Sequence, residues 1–146
     1  MAKTQKLTEH FTVQELTTTD QNGLQKTNTK EGLKISDKLQ ALAEFAEEVR
    51  TVIQNCPMVI TSGYRCEKLN KAIGGSKTSE HLKCEAIDFI PKKMSAFKAL
   101  GYILISELKW DQLILEKRGQ GYLIHISMGN KREVLYSPKA ASYVKF

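Results

Sequence analysis

Residues 78–88, TSEHLKCEAID, set a histidine, a cysteine and an aspartate within eleven residues. Imidazole, thiolate and carboxylate are the side chains that bind zinc, and a cysteine beside a histidine is also a nucleophile–base pair. Three residues sit as polar interruptions of apolar β-type runs: Asp88 in AIDFI, Glu116 at the end of DQLILE and His125 in YLIHIS. A charge or an imidazole buried without a partner is costly, so residues of this kind need one another or a bound ion. A catalytic zinc site takes three protein ligands, an open position for water and a nearby base. His81, Asp88 and His125 supply the ligands, and Glu116 supplies the base. Spacing alone leaves a plainer reading open, in which His81 is a loop residue, Asp88 a helix or turn cap and His125 a satisfied half-buried histidine.

The flanking sequence has to build elements that position these groups. Thr12 lies three residues before Glu15, the spacing of a capping box, with Val13 and Leu16 on the inner side of a short helix. His10 reads as a packing or surface residue. TTTDQNGLQKTNTKEG has no hydrophobic period and reads as a loop, so residues 1–35 are expected to form an irregular lead-in with one short helix. In ISDKLQALAEFAEEVRTVIQN, Leu39, Leu42, Ala46, Val49 and Ile53 recur at three- and four-residue steps, predicting a long core helix capped by Ser36. CPMVITSGYR reads as a strand running into a turn at Gly63, and EKLNKAIGG as a short helix stopped by its glycines. CEAIDFIP is a second strand ending at Pro91. A helix from Ser95 follows, with Phe97, Leu100, Ile103 or Leu104, and Leu108 on one side.

DQLILE and YLIHIS are separated by KRGQG, a hairpin signal with a loop of medium length. In that hairpin Glu116 and His125 can share one sheet face while Leu113, Leu115, Ile124 and Ile126 fill the core. REVLYS is a candidate further strand. The expected fold class is α+β: a small, largely antiparallel sheet flanked by helices, with the zinc site on the sheet, in a single domain spanning 1–146.

With 146 residues, 41% of them apolar and 26% charged, the chain has the composition of one soluble domain with a real core. No stretch approaches the roughly 20 apolar residues of a membrane span, so no membrane insertion is expected. The first residues carry basic side chains with no apolar region behind them, which points to cytoplasmic synthesis without a signal peptide. The net charge of +6 is spread along the chain. It suits polyanions in general, from nucleic acids to anionic lipid and cell-wall polymers, and serves solubility equally well. It lacks the basic block of a nucleic-acid arm, so a nucleic-acid partner is not expected. Cys56, Cys66 and Cys84 form no CxxC pair, and reduced thiols are expected.

SGYR at 62–65, Asn70, the glycines at 74 and 75, SEHLKCEAID at 79–88, DQLILE, and HIS at 125–127 occur in that order. This series resembles the zinc peptidases of the D-alanyl-D-alanine carboxypeptidase and murein endopeptidase family, which includes phage endolysins and vancomycin-resistance dipeptidases. The opening LTEHFTVQEL resembles a short bacterial and phage branch, so the likeness covers nearly the whole chain. The resemblance implies His81, Asp88 and His125 as zinc ligands. It also implies Arg65 beside the metal, where a fixed, always-charged guanidinium suits a substrate carbonyl, a carboxylate or an oxyanion. Ser79 is similar to a serine that helps hold substrate, with a cap or turn role as the alternative, and Tyr64 joins the substrate-binding set as a contact aromatic.

The implied activity is hydrolysis of peptidoglycan stem or cross-link peptides by a monomer, as a D-Ala-D-Ala carboxypeptidase or an endopeptidase of the endolysin type. An endolysin would act on the cell wall after release. Two positions depart from the pattern. Cys84 stands where the family has glycine, and Tyr122 stands where many members carry an acidic residue three positions before the last histidine. The second departure makes Glu116 the candidate base.

Rival readings remain at this stage. Cys84 can be a thiolate nucleophile with His81 as its base, or a zinc ligand in place of Asp88. A catalytically inactive wall-binding or virion protein, or a basic nucleic-acid binder, can keep the same fold. Tyr64, Tyr122 and Trp110 would then be contact aromatics, although aromatics beside strands are more often core.

Overall fold

The computed structural model describes residues 5–139 and 142–145. In chain order its elements are α1 (Val13–Leu16), α2 (Gln25–Leu33), α3 (Ser36–Val52), β1 (Met58–Ser62), α4 (Glu67–Ala72), β2 (Ala86–Pro91), α5 (Ala96–Ile105), β3 (Gln112–Arg118), β4 (Gly121–Ser127), β5 (Glu133–Lys139) and β6 (Ser142–Lys145). The strands form one six-stranded, mostly antiparallel sheet in the order β1-β2-β4-β3-β5-β6. The fold is α+β, as expected. Contacts divide the chain into two units, residues 1–47 with 60–87 and residues 48–59 with 88–146, and the divisions fall inside α3, β1 and β2.

In the first unit, α1 begins at a complete capping box: the Thr12 hydroxyl accepts from the Glu15 N–H, and the Glu15 carboxylate accepts from the Thr12 N–H. Val13 and Leu16 are buried beneath it. The polar run read as a loop instead contains α2. Its two buried residues are Asn28 and Gly32, four apart, so the helix turns a polar and small face inward and shows no apolar period. A Cβ at Gly32 would stand 2.8 Å from the Thr17 methyl carbon, which is why the residue there is glycine. Lys34 and Ile35 make the turn into α3. Ser36 is the first helical residue rather than the cap, and the Ile35 carbonyl accepts from the Lys38 and Leu39 N–H groups. Leu39, Leu42 and Ala46 are fully buried along α3, as their spacing predicts, and so is Ala43. α4 runs to Ala72 and is followed by Gly74 at φ +70°, a left-handed residue at the helix end.

In the second unit, Val49 lies on α3 and is buried, and Ile53, also buried, lies one residue past the helix end. β3 and β4 pair with Leu113 opposite Ile126, Leu115 opposite Ile124 and Glu116 opposite Leu123. The hairpin loop is tighter than expected, because Lys117 and Arg118 still pair with Tyr122 and Gly121. Only Gly119 and Gln120 lie between the strands, and Gly119 takes φ +59°, as a two-residue turn matching the strand twist requires. β5 runs parallel to β3 on its other side. The connection is tied down by hydrogen bonds from the Asp111 N–H to the Ser127 carbonyl and from the Arg132 N–H to the Trp110 carbonyl, and the Arg132 guanidinium sits 4.0 Å from the Trp110 ring centre.

Ser95 caps α5, its hydroxyl accepting from the Lys98 N–H at 3.1 Å. The inward face of this helix is Ala96, Ala99, Leu100 and Ile103. Phe97 belongs to the outer face, 55% exposed, with its ring edge-on to Tyr122. Leu108 is buried but lies past the helix end.

Candidate metal centre

His81 sits in the turn-rich segment before β2, and its neighbours fix both its backbone and its ring. The Ser79 hydroxyl accepts from the His81 N–H at 3.2 Å, and the His81 carbonyl accepts from the Arg65 and Cys84 N–H groups at 3.1 and 3.2 Å. The His81 ring Nδ1 lies 2.7 Å from the Gly63 carbonyl oxygen. A carbonyl can only accept, so Nδ1 carries a proton, and a second partner of this kind is what orients a metal-binding imidazole.

Asp88 on β2 and His125 on β4 occupy neighbouring strands, with His125 Nδ1 and Asp88 Oδ1 2.8 Å apart. Among the described residues, His81, Asp88 and His125 form a group whose ligand atoms all lie within 4.8 Å of one another. Two imidazole nitrogens and one carboxylate oxygen are the three-ligand set of a catalytic zinc site. The donor set fits a divalent metal, and Cys84 is not among the grouped residues.

The SGYR turn is held from the lead-in. A Cβ at Gly63 would stand 2.4 Å from the Leu16 carbonyl oxygen, so only glycine fits, and the Tyr64 N–H donates to that same carbonyl at 2.7 Å. Asn28, fully buried, straddles Arg65: its Nδ2 donates to the Tyr64 carbonyl at 2.9 Å and to the Thr17 carbonyl at 2.8 Å, while its Oδ1 accepts from the Cys66 N–H at 2.8 Å. The Arg65 side chain donates from Nη1 to Asn70 Oδ1 at 2.9 Å. Burial, with smaller contributions from nearby negative groups, pushes the Tyr64 phenol up to about 12. Tyr64 is thus a hydrogen-bond donor at neutral pH and no base.

Glu116 lies on the same sheet face as His125, since its partner Leu123 is two residues from His125 along β4. Leu113, Leu115, Ile124 and Ile126 fill the opposite face, matching the alternation of the sequence. The Glu116 carboxylate is buried and paired with Arg118 Nη2 at 2.6 Å. Tyr122 takes the other face, against Phe97. Cys84 is buried at φ +60°, a backbone that favours the glycine of the family pattern. Burial pushes its thiol up to about 12, so it stays protonated and is a poor nucleophile at neutral pH. Sequence reasoning missed Asn28, hidden in a run without apolar period, and gave Asn70 no role. For Asn28 the available signal was an asparagine four residues before a glycine.

A family model described as Peptidase M15 matches residues 9–126, a span that contains Arg65, His81, Asp88, Glu116 and His125. No curated protein matches the chain. With more than half its length matched, the chain belongs to the Peptidase M15 family.

Proposed function

We propose that the protein is a zinc-dependent peptidase that hydrolyses peptidoglycan stem or cross-link peptides, as a D-Ala-D-Ala carboxypeptidase or an endopeptidase of the endolysin type. The observation that carries this reading is the His81–Asp88–His125 cluster inside a chain that matches the Peptidase M15 model across it. His81, Asp88 and His125 would hold the zinc, which when bound supplies a Lewis acid and a water whose pKa falls to about 7. Glu116, on the His125 face of the hairpin, takes the proton of the attacking water on its carboxylate and returns it to the leaving amine. Arg65 directs its guanidinium at the carbonyl oxygen as negative charge develops there. Tyr64 donates a hydrogen bond to the peptide, and Ser79 contributes mainly by capping the turn ahead of His81. The diffuse charge of +6 assists approach to an anionic wall.

The Glu116–Arg118 pair favours one alternative, a wall-binding or virion protein on the same fold with its base locked away. The deciding experiment measures metal by elemental mass spectrometry in wild type and His125→Ala, alongside muropeptide digests. About one zinc per wild-type chain, lost in the variant, together with release of new amino groups, supports the hydrolase. Retained zinc without cleavage supports the alternative, and a metal-free wild type after supplementation refutes both the centre and the mechanism.

A further inference from the structure

We infer that Asn70 is the positioning residue for Arg65: its carboxamide fixes the guanidinium in the orientation that meets substrate. This rests on the role given to Arg65 above. Asn70 projects from α4 and is 4% exposed. Its Nδ2 donates to two carbonyls, those of Gly75 at 3.3 Å and Ser76 at 3.0 Å, and its Oδ1 accepts from Arg65 Nη1 at 2.9 Å. The amide cannot be turned over, because the reversed group would aim its NH₂ at a guanidinium that only donates and its oxygen at two carbonyls that only accept. Main-chain bonds hold the same residue, from the Asn70 N–H to the Cys66 carbonyl and from the Gly75 N–H to the Asn70 carbonyl, both at 2.9 Å.

There is no slack around this contact. A Cβ on Gly75 would fall 2.2 Å from Asn70 Oδ1 and 2.9 Å from Arg65 Nη1, so the glycine hydrogen is all the space admits. The chemistry of the partner also suits the task. An amide oxygen is neutral, so this contact orients the guanidinium without cancelling its charge, and it uses one N–H of five. A carboxylate in the same place would hold the arginine as firmly and weaken it as an oxyanion or carboxylate receptor.

The test combines kinetics with a spectroscopic readout that does not depend on cleavage. Asn70→Ala should lower kcat/KM on a muropeptide substrate on the order of 10²-fold, the cost of a misplaced catalytic group, while zinc content stays at the wild-type level. In an Arg65→Ala background the same change should cost less than about 3-fold, because the group it positions is gone. Gly75→Ala, which displaces the contact from the other side, should reproduce the loss. Losses of equal size with and without Arg65 overturn the proposal, as does an Asn70→Ala enzyme with wild-type kcat/KM.

Nitrogen-15 NMR of the guanidinium supplies the independent arm, with the Arg65 signals assigned through Arg65→Lys. Resolved Nη resonances are expected in the wild type and averaged ones in Asn70→Ala. Averaged Nη signals in the wild type itself overturn the clamp whether or not any variant folds. If the wild type cleaves no peptide, the functional reading above fails, and the NMR arm still decides whether Asn70 holds the guanidinium.

Discussion

Replacing Asn28 by alanine tests whether the lead-in helix holds the arginine turn. The change removes three hydrogen bonds of 2.8–2.9 Å from a fully buried position. The Thr17 carbonyl keeps a second donor, Gln25 Nε2 at 2.9 Å, so its loss is small. The Tyr64 carbonyl and the Cys66 N–H bear most of the cost, at about 1–3 kcal/mol for each buried group left unsatisfied. Alanine recovers about half a kcal/mol through better helix propensity. The net expectation is about 1.5–5.5 kcal/mol, a large share of the roughly 5–15 kcal/mol that stabilises a domain, and a fall in melting temperature of about 5–20 °C. Urea denaturation followed by circular dichroism measures it. A loss below about 0.5 kcal/mol would show that these three bonds do not hold the turn and would refute the reasoning.

Glu116→Gln keeps the side-chain shape and removes the proposed base, so activity should fall by roughly 10² to 10⁴ with metal content unchanged; near-normal turnover would overturn that assignment. Glu47 receives hydrogen bonds from the His10 ring and main chain, each at 2.8 Å. Burial acts to raise its pKa, yet these bonds outweigh burial and hold it below the usual 4.5. Its contribution is therefore complete above pH 4.5 and is lost as pH falls below that toward the depressed value. The stability gap between wild type and Glu47→Gln should narrow over that acid range, and a constant gap would refute the pairing. Cys84, with its thiol up near 12, should resist iodoacetamide at pH 8 in the folded protein. Stoichiometric alkylation of Cys84 with loss of activity would restore the cysteine mechanism.

Much of the site could be read from the sequence because its geometry follows from simple periods. Strand alternation put Glu116 and His125 on one face and four aliphatic residues on the other, and the pairing register agrees. Apolar steps of three and four gave α3, and the Thr12–Glu15 spacing gave the cap of α1. What escaped was structure carried by polar and main-chain atoms. α2 buries Asn28 and Gly32, so a search for apolar faces sees nothing there. The partner of the His81 ring is the carbonyl of Gly63, an atom every residue owns and no motif can single out. Phe97 misled for the opposite reason: the small alanines at 96 and 99 turn inward, and the larger ring is left outside.

The turn at Gly63–Arg65 and the turn at His81 are bonded to each other in both directions, ring to carbonyl one way and Arg65 amide to His81 carbonyl the other. A cation that stiffens the imidazole must also slow the opening of that amide. Hydrogen–deuterium exchange at Arg65 thus becomes a gauge of occupancy at the proposed metal centre. It can be read peptide by peptide in crude mixtures, with no substrate added and no knowledge of which bond the enzyme cuts.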